Sequence, residues 1–294
     1  MFKGLVVFSV VVLVACGPSG RRPSGDDDTN TDAYVCPQTP ESANCGDGAD
    51  NDCDGYVDCG DPDCSGIGGC PVCGMVQHPL SQPLALPDGV SSGAACSTNA
   101  QCAGGTPNCV ESECHGSYNS KLHFDGFPAG LTFQAVSNID SVCVEIEHSW
   151  LRDMEISLRA PSGQEVQLHK FLGRTGGEIY LGGANDCDSD ANPVPGTGAQ
   201  YCWKPTSTQT MLGFADGGGA MTMVTGCDTI SHEELPPGDY AASTPWSTLM
   251  GADLNGDWEI VVTDLWGIDN GYIFKWSIAF DPTLVQDCSG PIIQ

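Results

Sequence analysis

The sequence predicts an all-β protein: a C-terminal jelly-roll β-sandwich preceded by an acidic, disulfide-rich region with little regular secondary structure. Three observations predict it. From Lys121 onward, apolar residues alternate in short runs bounded by Gly and Pro turns, which is the period of strands. Between Pro23 and Ser120 stand fifteen Asp and Glu and no Lys or Arg, with few aromatics, so no large core forms there. Seventeen cysteines, eleven of them between Cys36 and Cys114, supply the cross-links that such a region needs.

Residues 1–15 carry Lys3 and then an apolar run from Leu5 to Ala15, too short to cross a bilayer, and read as a signal peptide. The run closes on Leu13-Val14-Ala15-Cys16, which resembles a bacterial lipobox. The resemblance implies cleavage before Cys16 and lipidation of that cysteine, so that the membrane becomes a partner through an N-terminal lipid anchor. Gly17 in place of Asp after the cysteine implies the outer membrane and the cell surface. The alternative is an ordinary secretory leader with a left-over cysteine. Residues 16–35, rich in Gly, Pro and Ser, read as a flexible tether.

In an oxidising compartment the sixteen other cysteines read as disulfides. Eleven lie between Cys36 and Cys114 and five between Cys143 and Cys288, so complete pairing needs an odd number of bridges joining the two regions. Cys70-Pro71-Val72-Cys73 lacks both the βαβ context of a redox pair and the second pair of a zinc site, and reads as structural. The formal net charge of −28 argues against nucleic acid and anionic lipid as partners and favours cations or basic surfaces.

Residues 36–73 form a Cys- and Asp-rich motif. Starting at Asp50, side-chain oxygens fall at Asp50, Asp52, Asp54, Asp58 and Asp61, with Gly55 at the sixth place and the Tyr56 carbonyl at the seventh. This is the ligand spacing of a calcium loop, in which the glycine makes the sharp turn. The twelfth place holds Asp61 where an EF-hand has the longer Glu, and no helical pattern flanks the loop. The segment Cys45 to Cys64 resembles thrombospondin type 3 and dockerin-like loops, and more closely the DGxDNDCDGxxD motif of bacterial surface proteins of the copper-binding MopE type. Copper would want imidazole or soft ligands, and the region offers only His78, His115 and Met75 besides its cysteines. Hard oxygens imply calcium, at the weak affinity of about 10⁻⁴ to 10⁻³ M usual in extracellular modules. The bland alternative is a hydrated acidic spacer pinned by disulfides.

Residues 74–120 read as a linker that carries a two-disulfide knot made by Cys96, Cys102, Cys109 and Cys114. Residues 121–282 carry the strands. Val142, Val144 and Ile146 alternate, as do Met154, Ile156 and Leu158, then Val166 and Leu168, with a turn at Ala160-Pro161-Ser162-Gly163. Near the end Trp258, Ile260 and Val262 alternate. The run Tyr272, Phe274, Trp276, Ile278 and Phe280 is expected to place five large residues on one face of a central strand. Residues 283–294 are a tail.

The segments VCVEIEHSWLRDMEISLRAPSGQEVQL (Val142 to Leu168) and LNGDWEIVVTDLWGIDNGYIFKWSIAF (Leu254 to Phe280) resemble the P domain of subtilisin-like proprotein convertases. Met154 for Leu, Ala160 for Ser, and GIDNG for GDTG depart from that pattern, as does the cysteine-bearing insertion Gly182 to Cys202. The resemblance implies a P domain-like jelly roll that in convertases follows and stabilises a serine protease domain. No protease domain fits in the hundred disulfide-rich residues that precede it here. Neither G-x-S-x-G nor H-E-x-x-H occurs, and His148 matches the family's structural histidine, so no enzyme is expected.

Two further oxygen clusters stand out. Asp186, Asp188 and Asp190 could turn toward one ion or belong to a hydrated loop pinned by Cys187. Asp153, with Asp264 and Asp269, could form another calcium site or cap strand-end turns through backbone hydrogen bonds. The function expected is a non-catalytic, calcium-stabilised surface lipoprotein that binds a carbohydrate or protein in adhesion or recognition. The alternative is an accessory partner of a separately encoded subtilisin-like protease.

Overall fold

The computed structural model describes residues 43–52, 58–70, 75–77, 83–173, 175–185, 187, 193–226, 228–267 and 269–284. In chain order the first strands are β1 (Met75–Gln77), β2 (Leu84–Ala85), β3 (Ser91–Ala95), β4 (Asn108–Val110), β5 (Glu113–His115) and β6 (Tyr118–Phe124). Then come β7 (Ile139–His148), β8 (Met154–Arg159), β9 (Glu165–His169), β10 (Ala199–Trp203), β11 (Thr222–Thr225) and β12 (Ser231–Glu234). The last are β13 (Gly238–Tyr240), β14 (Gly256–Asp264) and β15 (Gly271–Phe280); a short helix α1 (Met211–Asp216) lies between β10 and β11.

The fold is all-β. One sheet runs β1-β15-β7-β10-β13 with β2 also on β15, and the facing sheet runs β6-β14-β8-β9. Alternation builds the layer between them: Met154, Ile156 and Leu158 of β8, Trp258, Ile260 and Val262 of β14, and Val142, Val144 and Ile146 of β7 are all fully buried in one core. Phe280 belongs to it, edge-on to Phe124 at 5.1 Å and to Trp258 at 5.4 Å. The two sheets are also tied by a polar bond, since the Trp276 indole N–H donates to Ser120 Oγ at 2.9 Å. Among the described residues no helix is long and apolar enough to cross a membrane.

Two features of the segments that resemble the P domain have a visible packing cause. The Ala160-Pro161-Ser162-Gly163 turn closes with the Gly163 amide on the Ala160 carbonyl at 2.9 Å. A Cβ at Gly256, where φ is +119°, would come within 2.7 Å of Pro161, so glycine lets β14 start against that turn. Asn255, just before it, accepts the Phe127 amide at 3.0 Å and donates to the Phe127 carbonyl at 2.9 Å.

One expectation is corrected on β15. Pairing with β7 slips between Ile273 and Lys275, a bulge centred on Phe274. The bulge reverses the alternation on its two sides. Ile273, Trp276, Ile278 and Phe280 face the core, whereas Tyr272 sends its hydroxyl to the Pro193 carbonyl and Phe274 is half-buried against Gly198.

The stretch read as a linker is built into the sandwich. Strands β1 and β2 both pair with β15. Strands β3, β5 and β4 form a small sheet pinned by Cys96–Cys109 and Cys102–Cys114, as the knot expected from the cysteine spacing. This knot docks on the outer face of the four-stranded sheet. Asn108 donates to Asn119 at 2.8 Å and accepts from Arg159 at 2.9 Å, while the Ser117 and Thr263 hydroxyls lie 2.5 Å apart. Cys45–Cys64, Cys59–Cys70 and Cys143–Cys202 are the other bridges with both ends described, and each stays within its own region. Cys70 thus pairs with Cys59 in a structural bridge. The bridge expected to join the two regions lies outside the described pairs.

Candidate metal centres

The acidic motif folds around its disulfides. Cys45, Cys64 and Cys70 are buried together, and Ile67 packs against them, which gives this aspartate-rich segment a core of its own. Short turns then bring the carboxylates round. The Asp61 amide bonds to the Asp58 carbonyl at 2.8 Å and the Cys64 amide to the Asp61 carbonyl at 3.1 Å. Asp58, with φ at +51°, accepts the Gly48 amide at 3.1 Å and so closes the loop across ten residues. Asp47 accepts the Ala49 amide and the Asn51 side chain.

The result gathers Asp52, Asp61 and Asp63, each offering an oxygen within 4.8 Å of the other two. Two oxygens at about 2.4 Å from one calcium ion can be at most about 4.8 Å apart, so the spacing and the hard donors fit such an ion. Asp61 is 3% exposed, and its Oδ1 accepts the Asp63 amide at 2.7 Å. Of the residues in the expected loop, Asp52 and Asp61 enter this group, and Asp50 and Asp58 lie in the same motif. Asp54 and Tyr56 lie outside the described residues. Asp63 was missed, because a twelve-place count ends at Asp61 and nothing in the spacing signals that the turn at Pro62–Cys64 folds the next carboxylate back.

The motif is tied to the sandwich at Asp125, which follows β6. Asp125 accepts the Gly69 amide at 2.9 Å and donates its own amide to the Gly66 carbonyl at 3.0 Å.

A second acidic cluster lies inside the sandwich where β7, β8 and β14 converge. Glu147, His148, Asp153 and Asp264 are all fully buried. The Trp150 amide donates to His148 Nδ1 at 2.9 Å, which leaves Nε2 to face Asp264 Oδ2 at 3.5 Å. Burial pulls the imidazole pKa down, but Asp264, Asp153 and Glu147 outweigh it and raise it above its ordinary value. Asp264 also accepts the Trp266 amide at 3.0 Å, and the Leu265 amide bonds to the Asp153 carbonyl at 2.9 Å, so both residues hold the turn that leaves β14. Asp269 is half-buried further along that connection. Asp153, Asp264 and Asp269 do not form a group with three oxygens within 4.8 Å of one another, as Asp52, Asp61 and Asp63 do. Asp186, Asp188 and Asp190 lie outside the described residues, as does Cys16.

Fold and sites together define a class: an all-β, disulfide-rich protein whose sandwich carries an acidic module on one side. Comparison with known proteins narrows one part of it. The family described as proprotein convertase P-domain matches residues 139–181, which span β7 to β9 and run on to Leu181. No curated protein matches. Among solved structures, the serine protease of Aeromonas sobria in complex with its chaperone ORF2 aligns at 14% identity and a TM-score of 0.26, covering 70% of this chain and 26% of that one. The Aeromonas sobria serine protease alone aligns at 14% identity and 0.23, covering 71% and 27%. The chain therefore spans about a quarter of the length of the solved chains it matches.

Proposed function

We propose that the protein is a non-catalytic lipoprotein of the bacterial cell surface, stabilised by calcium, whose sandwich recognises a carbohydrate or protein. The observation that carries the metal part is the convergence of Asp52, Asp61 and Asp63 between two disulfides. In this reading they hold one calcium ion, helped by Asp50, Asp54, Asp58 and the Tyr56 carbonyl. The ion would offset the mutual repulsion of carboxylates in a chain of net charge −28 and stiffen the motif. The lipid on Cys16 would place the module at the outer membrane, with residues 16–35 as tether. Replacing Cys16 by Ser should move the mature protein from the membrane pellet to the soluble fraction; an unchanged distribution would rule out the anchor.

A second reading, favoured by the family match over residues 139–181, makes the chain an accessory partner of a separately encoded subtilisin-like protease. One experiment separates the two. Immobilised protein, in calcium, is offered purified cell-wall polysaccharides and, separately, envelope extract treated with a fluorophosphonate serine probe. Retained polysaccharide supports recognition of glycans, whereas a co-retained probe-labelled protease supports the accessory role. Retention of neither sinks the carbohydrate and the protease versions alike.

A further inference from the structure

The β11–β12 hairpin lies outside both sandwich sheets. It is joined to the segment before Leu181 by backbone bonds at one residue: the Tyr180 amide donates to the Glu233 carbonyl at 2.8 Å, and the Leu235 amide to the Tyr180 carbonyl at 2.9 Å. His232 sits over that junction. Its ring stacks on the Tyr180 ring, with centroids 4.4 Å apart and planes 15° from parallel. Its two nitrogens face carboxylates from two different segments. Nδ1 lies 2.9 Å from Glu178 Oε2, and Nε2 lies 3.2 Å from Asp228 Oδ1 in the hairpin turn.

A neutral imidazole carries one N–H and can donate to only one of these carboxylates; its bare nitrogen then faces the other. The imidazolium satisfies both. We propose that His232 is a proton-operated latch, which in its charged form pins the β11–β12 hairpin to Glu178 and Tyr180 and on losing its proton releases one of the two carboxylates.

The charged groups facing the ring are Glu178, on the segment beneath, and Asp228, in the turn. Glu234, on the same face of β12, is engaged by the Thr222 hydroxyl at 2.9 Å. Glu233, paired with Met223, points to the opposite face. The turn itself is pre-shaped to present Asp228, which accepts the Ile230 amide at 2.8 Å while Thr229 takes φ at +67°. The hydrogen bond that the ring donates to Glu178, and then the one to Asp228, raise the imidazole pKa against the pull of burial. The sign follows: the latch is fully set below the ordinary histidine value of about 6.5 and is lost as pH rises through the raised one. With its side chain 11% exposed, His232 can exchange its proton with solvent.

The test is amide hydrogen exchange of residues 222–234 in the full chain between pH 5.5 and 8.5, corrected for intrinsic rates, with the β7 amides as internal control. Hairpin protection should fall relative to β7 by up to roughly tenfold per unit by which the pKa is raised. Glu178→Gln should move the midpoint down, and His232→Gln should abolish the step. A pH-independent ratio in the wild type, or a step that survives His232→Gln, overturns the latch. Should His232→Gln fail to fold, NMR titration of the wild-type ring decides: a midpoint above 6.5 upholds it and one at or below 6.5 overturns it.

Discussion

Among the described carboxylates outside the two acidic clusters, Glu155 is one whose chemistry the fold changes strongly. It lies on the outer face of β8, 7% exposed beneath the knot, and its carboxyl is met by the Gln167 side chain, which donates to it at 3.3 Å, and by the backbone of Phe171. Burial, with the negative charge of Glu111 adding to it, pushes the Glu155 carboxyl up to about 7. The neutral form is therefore the one the folded state prefers. Below about pH 4.5 the group costs nothing, because both states are protonated. Between there and about pH 7 it progressively withdraws stability, on the order of 3 kcal/mol, and above that the loss is constant. Glu155→Gln should make the protein more stable at pH 8 and flatten this slope in denaturant unfolding. A variant that keeps the wild-type pH dependence would place the slope elsewhere. None of this was legible in the sequence, where Glu155 is one polar residue of an alternating strand and the knot that covers it lies some forty positions away. By contrast Asp52 and Asp61, picked out by their spacing, do come together, with oxygens within 4.8 Å of each other. Asp63 was not picked out.

Elements that alternate over five or more residues without interruption were legible, and β7, β8 and β14 lie where the pattern of their buried residues puts them. Alternation has no memory across a bulge, so β15 was read with Tyr272 and Phe274 on the core face when the slip at Phe274 puts Ile273 there. The two- and three-residue strands β1 and β2 are too short to show a period, and what makes them strands is the edge of β15 that they cover. The knot raises the same point, because its cysteine spacing announced two bridges but not the surface on which they sit. That surface turns on Asn108, which is 2% exposed and joins Asn119 to Arg159. Asn108→Ala leaves both partners with one bond fewer, although Arg159 keeps Glu165 at 2.6 Å and Glu259 at 3.3 Å. A loss of about 1 to 2 kcal/mol is expected. Chemical denaturation measures it, and faster cleavage between Ser91 and His115 should accompany it; an unchanged midpoint would mean that the knot rests on the sheet without holding to it.

At the scale of the whole molecule the chain solves two problems of different kinds. From β6 onward a single apolar core stabilises a two-sheet sandwich in the usual way. Ahead of it, the described part of the acidic motif packs three buried cysteines and Ile67 as a core, and is held by its disulfides and its bonds to Asp125. The division at about residue 120 was visible in composition because the two halves differ in charge, aromatics and cysteine. The junctions across it were not: the acidic motif is held through backbone groups at Gly66 and Gly69 on Asp125, β1 and β2 pair with β15, and the knot docks through Asn108 and Ser117, none of which composition signals. The central claim is that a cation completes the motif. Three close carboxylates without one should repel, and a calcium ion bound to the folded state alone would stabilise it by about 2.7 kcal/mol at a hundredfold excess over Kd. Limited proteolysis of residues 45–70, followed by mass spectrometry in calcium, magnesium and chelator, measures this directly. Asp61→Asn/Asp63→Asn serves as the control that keeps shape and disulfides but removes charge from the site. Cleavage of the wild type should slow several-fold in millimolar calcium and much less in magnesium, which demands a smaller octahedral cage, and the double variant should respond to neither. Equal cleavage of the wild type in calcium and in chelator would contradict the account and leave these aspartates as a hydrated spacer between disulfides.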